Sequence, residues 1–224
     1  MNVAGITAAI AVAASRAFSC ALLSDGTIEC WGLNNQYQLG NGSNSDSSTP
    51  TAVSGITSAN SLAIGAEHGC ASLRDGSVRC WGYNGFGELG NSTSLQSSTP
   101  VPVTEITQAM AVGSGGEESC ALLRDGKVLC WGFNDYAGLG NGTTKASSTP
   151  TAVIGITSAT ALSLADSHVC VHLFNGTIQC AGRNDQAQLA IGSTLTGITP
   201  APVLGLSDVF AVAAGFGSSG AVLG

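Results

Sequence analysis

The sequence predicts an all-β fold built from a repeated four-stranded unit, and three observations lead to this prediction. A Cys-to-Leu-Gly segment such as CALLRDGKVLCWGFNDYAGLG recurs four times, with its first cysteine at positions 20, 70, 120 and 170. This constant step of 50 residues is typical of solenoids and propellers. Short apolar runs rich in β-branched residues alternate with Gly, Asn, Asp and Ser, and no sustained helical period is present.

Each unit contains four candidate strands. In the unit 56–105 they are predicted at 61–65, 70–73, 77–81 and 99–103. The fourth contains a proline in every unit, at positions 50, 100, 150 and 200. Because proline cannot donate to a ladder of hydrogen bonds, this strand is expected at the outer edge of the sheet. Four antiparallel strands ordered from inner to edge form a propeller blade.

The second and third strands are expected to form a hairpin. Asp-Gly or Asn-Gly occupies the turn in all four units, with glycine at a position that favours positive φ. In a three-residue loop, residue 23 then pairs with residue 27, and Cys20 lies opposite Cys30. Residues opposed in this way have Cα atoms about 4.5–5.5 Å apart, within the range of a disulfide.

All eight cysteines fall into such pairs, and the predicted disulfides are Cys20–Cys30, Cys70–Cys80, Cys120–Cys130 and Cys170–Cys180. Free thiols and zinc ligation are the alternatives. Zinc is disfavoured because the two cysteines of a pair lack the close spacing of zinc-binding pairs, and two blades would have to share one ion. Regular pairing predicts an oxidising compartment, namely extracellular, periplasmic or cell-surface.

The repeated residues resemble those of the regulator of chromosome condensation repeat family. The shared pattern is Asp-Gly-x-[Val/Ile]-x-x-Trp-Gly-x-Asn followed by Leu-Gly and then Thr-Pro-x-x-Val. This resemblance implies a β-propeller, usually of seven blades, and the cysteine pairs and acidic character are similar to bacterial secreted members. The fourth unit departs from the pattern at Ala181, which replaces tryptophan, and at Ala190-Ile191, which replaces Gly-Asn. It is expected to be degenerate or to lie at a special interface.

The chain is expected to be one repeat domain, 1–224, with units at about 6–55, 56–105, 106–155 and 156–205 and a partial fifth at 206–224. The N-terminal residues align with the interior repeats and lack a basic region, so they are interpreted as folded repeat and not as a leader. Residues 1–5 correspond to a fourth strand. Three alternatives follow for the terminal half-blade: a segment of a larger ring, closure by residues 1–5 of the same chain, or closure by a neighbouring chain.

Composition and motifs argue against several functions. A net charge of −7 with Lys+Arg 7 disfavours nucleic acid as a partner, and no apolar run is long enough for a membrane span. His68 and His168 share one column but have no catalytic partners at a motif spacing, which favours a structural role. We therefore expect no enzymatic activity, no catalytic residues, no cofactor and no bound metal.

The positions that vary among the units suggest a recognition surface. They lie in the turn between the first and second strands and at the start of the third-to-fourth connection, which an antiparallel meander places on the same face. The candidate binding residues on this face are Arg16, Phe18, Tyr37, Glu67, Phe86, Glu88, Glu117, Glu118, Tyr136, Asp166 and Gln188.

The expected function is non-catalytic recognition of a protein partner through this face. The alternatives are a structural assembly module that self-associates through terminal half-blades, and a regulator that promotes nucleotide exchange on a GTPase. The last requires an inserted wedge, for which the even spacing leaves no room.

Overall fold

The computed structural model describes Val3, residues 5–215 and residues 218–223. In these residues the chain forms four four-stranded sheets and a two-stranded sheet, each a simple antiparallel meander in sequence order. The all-β fold of about 50 residues per blade is confirmed. The described residues include no helix long and apolar enough to cross a membrane.

The first four blades are nearly identical in their strand boundaries. The strands are β1 (Ala9–Ala14), β2 (Phe18–Leu23), β3 (Ile28–Gly32), β4 (Ser47–Ala52), β5 (Ala59–Ile64), β6 (His68–Leu73), β7 (Val78–Gly82), β8 (Ser97–Pro102), β9 (Ala109–Ser114), β10 (Glu118–Leu123), β11 (Val128–Gly132), β12 (Ser147–Ala152), β13 (Ala159–Leu164), β14 (His168–Leu173), β15 (Ile178–Gly182) and β16 (Gly197–Pro202). The half-blade that follows consists of β17 (Val209–Gly215) and β18 (Ser218–Leu223).

The first strands of neighbouring blades contact each other, from β1 against β5 to β13 against β17. They therefore line the inner side of an arc of blades. The proline-containing strands β4, β8, β12 and β16 lie at the outer edge of their sheets, as expected. Residues 1, 2 and 4 of the expected N-terminal strand, and residues 216 and 217 of the last turn, lie outside the described residues. Within the described residues β18 pairs only with β17.

The predicted hairpin register is confirmed. Cys20 lies opposite Cys30, and the Leu23 amide donates to the carbonyl of Thr27 at 2.9 Å. The same register recurs in the other three full blades, and all four pairs are disulfides with Cα–Cα distances of 4.0–4.1 Å. The zinc and free-thiol alternatives are thereby excluded for these cysteines. The bridges lie in the buried core of each blade.

The Asp-Gly turns also connect the blades. The carbonyl of Gly26 accepts a 2.9 Å hydrogen bond from the amide of Ala59 at the start of β5, and Gly76 and Gly126 make the same bond to the next blade. At Gly26, φ is +89°, and a Cβ there would lie 3.0 Å from the carbonyl oxygen of Thr57. Glycine is required at this position both by the turn and by the close approach of the next blade.

The fourth blade keeps the architecture of the other blades despite its departures from the repeat pattern. It retains all four strands, the disulfide and the register of the other blades. In the first three blades the tryptophan of the third strand lies opposite a small residue of the second strand, namely Ser19, Gly69 or Ser119. In the fourth blade the pair is inverted, because Ala181 lies opposite Val169 and both are fully buried. The larger Val169 side chain thus compensates for the missing indole.

Candidate protein-binding face

The two variable regions of each blade meet at one end of the blade, as the sequence predicts. We call this end the variable-loop face; it comprises residues 15–17, 65–67, 115–117 and 165–167 together with 33–38, 83–88, 133–138 and 183–188. Backbone hydrogen bonds join the two regions within each blade. The amides of Leu33, Tyr83, Phe133 and Arg183 donate to the carbonyls of Ala17, Glu67, Glu117 and Ser167 at 2.8–3.0 Å. These hydrogen bonds hold the two loops of each blade together at the ends of the strands.

A line of aromatic rings crosses this face from the second blade to the third. We call Tyr83, Phe86, Phe133 and Tyr136 the aromatic ladder; successive ring centroids lie 6.5, 5.0 and 6.2 Å apart. The guanidinium carbon of Arg183 lies 5.1 Å from the centroid of the Tyr136 ring and extends the line. Phe86 and Tyr136 are 39% and 44% exposed. Such rings offer a partner apolar area that loses little conformational entropy on binding.

Sequence reasoning missed Tyr83, Phe133 and Arg183. They occupy the position directly after the Trp-Gly or Ala-Gly pair, where the first blade has Leu33. Variation in this column was a signal that could have identified them. Tyr37, which the sequence predicts on this face, lies in the first blade and is half-buried. It belongs to no aromatic pair in the part of the chain that the structure describes.

Three carboxylates from three consecutive blades lie in the turns of the face. We call Glu67, Glu117 and Asp166 the acidic rim; each is half-buried. Burial, together with the negative charges of Asp166 and Glu67, raises the pKa of Glu117. The three groups are therefore close enough to repel each other. Arg16 is exposed on the same face, as the sequence predicts.

Four of the eleven candidate residues are buried, which corrects the expectation that they offer contact surface. Phe18 is 2% exposed, Glu88 0%, Glu118 2% and Gln188 6%. The reason is that residue 18 and its equivalents face the next blade. Residues 88 and 188 turn back under their own loop, where Glu88 Oε2 accepts from the amide of Phe86 at 2.9 Å and Gln188 Oε1 from that of Gln186, also at 2.9 Å.

Burial raises the pKa of Glu88 to about 7. One of its oxygens, Oε1, has no hydrogen-bond partner among the described residues. The equivalent positions in the first and fourth blades are Gln38 and Gln188, which are neutral. Glu88 thus places a buried carboxyl group at a position where two other blades have a neutral amide.

The two histidines of the shared column link adjacent blades. His68 Nε2 lies 2.8 Å from Ser119 Oγ, and that hydroxyl donates in turn to the carbonyl of Glu88 at 3.1 Å. His68 Nε2 therefore carries the proton and donates. Burial lowers the pKa of His68 to about 4, so the ring stays neutral. His168 and Ser219 repeat the contact at 2.9 Å.

Glu118 occupies the same column as these histidines, but its partner position is different. His68 and His168 face Ser119 and Ser219 of the next blade, whereas the fourth blade presents Val169 to Glu118. Neither carboxyl oxygen of Glu118 has a hydrogen-bond partner among the described residues. Burial and the negative charge of Asp166 raise the pKa of Glu118 well above its usual range.

Nothing in the described residues assembles a metal site, since no group of three or more His, Cys, Asp and Glu side chains is placed to hold an ion. The His68–Ser119 pair is also not a nucleophile and its base. Both side chains are buried, and the hydroxyl proton is directed to a carbonyl and not to the imidazole.

Comparison with known proteins identifies the repeat. The family description "Regulator of chromosome condensation (RCC1) repeat" matches residues 25–72, 75–122 and 125–171, and a second form of the same description matches residues 9–38, 60–88 and 111–137. The chain belongs to the RCC1 repeat family. Comparison of the sequence with curated proteins gives no match.

Solved structures of RCC1-type propellers have the same fold. Human WBSCR16 aligns with a TM-score of 0.83 at 22% identity, over 92% of this chain and 56% of that one. Yeast RCC1 (Prp20) bound to Kap60 aligns with a TM-score of 0.83 at 22% identity, over 96% and 54%. Prp20p from Saccharomyces cerevisiae, described with its binding to Gsp1p and histones, aligns with a TM-score of 0.81 at 22% identity, over 96% and 56%. This RCC1-repeat chain thus spans just over half the length of these propellers.

Proposed function

We propose that this RCC1-repeat chain is a non-catalytic recognition module that binds a protein partner through its variable-loop face. The observation that carries the proposal is the aromatic ladder. Exposed rings from two blades lie in one continuous line, next to charged groups, on loops held by backbone hydrogen bonds. Interfaces are enriched in such aromatic anchors, which contribute most when a partner excludes water from them.

The four disulfides indicate an oxidising environment. We infer that the module works outside the reducing cytoplasm, as a secreted or cell-surface protein of a bacterial cysteine-paired type. Partners of its structural relatives, such as Kap60 for yeast Prp20, support protein binding as the general mode. The identity of the partner is not carried over from them.

Site-specific photo-crosslinking tests the proposed face. A photoreactive amino acid replaces Tyr136 in one sample and Phe174 in a second, and each is exposed to extracellular and envelope fractions of the producing cells. Phe174 is the matched control because it is exposed (84%) in the β14–β15 turn, at the opposite end of the blade. We expect a discrete crosslinked partner from position 136 only. Equal crosslinking from both positions, or none from position 136, would contradict the proposal.

A second proposal is self-association through the terminal blades, with residues 1–224 acting as one repeat domain. Leu62 and Leu162 pack on the core of the preceding blade, whereas the equivalent Val12 is 76% exposed. At the other end of the arc Val222 is 59% exposed, although its equivalent Leu22 is buried. Because the two apolar surfaces differ, contact between copies would be head-to-tail.

A further inference from the structure

The chemistry of the partner can be inferred from what surrounds the aromatic ladder, and this inference rests on the proposed function. Two cavities of about 320 Å³ each open on the variable-loop face. The first is lined by Glu67 and Tyr83, and the second by Asp166 and Tyr136, while Glu117 belongs to both. Arg16 also lines both cavities, and Arg183 lines the second. Each cavity thus combines at least one aromatic ring with two carboxylates of the acidic rim, and the first has one guanidinium group against its two carboxylates.

The charge on this part of the face is negative. Five exposed or half-buried carboxylates lie in its loops, at Glu67, Glu117, Asp135, Asp166 and Asp185. Two cations oppose them, Arg16 and Arg183, and Arg183 is already paired with Asp185 at 2.7 Å. The balance of five carboxylates and two guanidinium groups leaves −3. Burial together with the negative charges of Glu88, Glu117 and Glu67 also raises the pKa of Tyr83, as expected where the potential is negative.

The carboxyl group of Glu118 is buried beneath the loops of the variable-loop face and lines neither cavity. Its Oε2 lies 3.0 Å from where a Cβ on Gly115 would lie, and its Oε1 lies 2.8 Å from the equivalent point on Gly138. These glycines flank the loops that carry Glu117 and Tyr136. Neither oxygen receives a hydrogen bond from the described residues. A positive charge in either cavity would offset the unfavourable burial of Glu117, which lines both.

The face already contains an example of the contact that such a ligand would make. Arg183 lies over the ring of Tyr136 while pairing with a carboxylate. A guanidinium or ammonium group is attracted both by the face of an aromatic ring and by adjacent carboxylates. The ring of Phe86, between Tyr83 and Phe133, is exposed and is free of such a contact with the described residues.

We propose that the variable-loop face binds a basic protein segment, whose arginine or lysine side chains enter the two cavities between the aromatic ladder and the acidic rim. The segment is positively charged, opposite to the face. Nucleic acid is disfavoured because it is negatively charged, like the face. Binding weakens as salt is added, because part of the attraction acts between exposed charges.

Fluorescence anisotropy with two labelled peptides tests this inference. One peptide alternates arginine with glycine and the other alternates glutamate with glycine. We expect the arginine peptide to bind and the glutamate peptide not to bind. The double variant E117Q/D166N should weaken arginine-peptide binding about tenfold, since two charge pairs are lost.

The control variant removes the same charge from other surfaces. In E105Q/D208N two exposed carboxylates outside the face become amides, and we expect affinity to stay within about twofold of the wild type. Circular dichroism confirms that both variants are folded. Equal weakening by both variants, or equal affinity for both peptides, would overturn the inference. If the arginine peptide fails while crosslinking from position 136 persists, the face binds a protein but not through basic side chains. If both fail, the proposed function is also wrong.

Discussion

At position 88 a buried glutamate occupies a site that two other blades fill with glutamine. All three side chains accept a hydrogen bond from the amide two residues earlier, at 2.8–2.9 Å. The neutral amide of Gln38 or Gln188 does this without a charge, whereas Glu88 must either hold a proton or bury a carboxylate. The site is therefore sensitive to pH in one blade only.

Replacing Glu88 by glutamine should stabilise the protein at high pH and have little effect at low pH. The pKa of Glu88 rises from 4.5 to about 7 on folding, so the folded state binds more protons and stability falls as pH rises through this window. Above pH 7 the E88Q variant should gain about 3 kcal/mol, since one pKa unit corresponds to about 1.4 kcal/mol. Urea denaturation of both proteins below pH 4.5 and above pH 7 measures the difference.

His68 acts in the opposite direction but does not disturb this comparison. Its pKa falls from 6.5 to about 4 on folding, so the folded state binds fewer protons between these pH values. The contribution of His68 to the free energy of unfolding is therefore fully retained above pH 6.5 and decreases as pH falls below it. Wild type and variant share this effect, and it cancels in the difference. A gain from E88Q that is the same at both pH values would show that ionisation of Glu88 is not the cause.

Within a blade, the element that fixes the geometry is the β2–β3 type of hairpin with its disulfide. Its two strands, the Asp-Gly turn and the bridge occur in the same register four times. Because blades stack only on their neighbours, loss of one hairpin also removes the turn carbonyl that binds the next blade. Each bridge closes a short loop in the unfolded chain.

Removing one bridge should lower the free energy of unfolding by about 3 kcal/mol in the chain-entropy model. The test is C70A/C80A, which removes the bridge of the second blade. Guanidinium denaturation under oxidising conditions measures the loss. Under reducing conditions the wild type also lacks this bridge, so the two proteins should become similar in stability. A difference that persists after reduction would assign the effect to core packing.

The fourth blade has alanine at a position where the other three full blades have glycine. Ala190 has a φ of +51° at the position where three other blades have glycine. In the first two blades a Cβ at this position would collide with the tryptophan of the next blade, 2.6 Å away at Gly40 and 2.9 Å at Gly90. The half-blade that follows Ala190 has no third strand among the described residues, so the same collision does not arise.

Across the described residues, the first and last blades present unlike apolar surfaces. Ile10 and Val12 are exposed at one end, and Val222 and Leu223 at the other. Exposed apolar patches and open sheet edges favour association. The acidic net charge of −7 opposes it, more strongly at low salt.

We expect the 224-residue chain to form head-to-tail oligomers whose mass rises with protein and salt concentration. Light scattering coupled to size exclusion measures the mass. The I10K/V12K variant should be monomeric under conditions in which the wild type associates. The F174K variant is the control, because it places a charge on an exposed residue of the β14–β15 turn, which belongs to neither terminal strand. A wild type that stays monomeric at all concentrations would refute self-association.

Most of the local structure followed from the sequence. The cysteine spacing and the Asp-Gly turn determine the register of Cys20 opposite Cys30, because a short loop allows few pairings. The prolines at positions 50, 100, 150 and 200 placed the edge strands correctly, because proline has no amide hydrogen to donate to a neighbouring strand. The sequence did not reveal how Ala181 is accommodated, because its compensation by Val169 depends on which residues lie opposite each other across strands.

The repeated blade, its strand order and its bridges follow from the amino-acid sequence, since these depend on contacts within a few tens of residues and on backbone geometry. Which variable residues face solvent depends on how the blades pack against each other. Glu88 and Glu118 turned out to be buried, whereas Tyr83, Phe133 and Arg183 joined the recognition surface. The physical reason is that the stacking of blades brings together residues about one repeat apart. The direction of each side chain there depends on the shape of its neighbour, which no single repeat encodes.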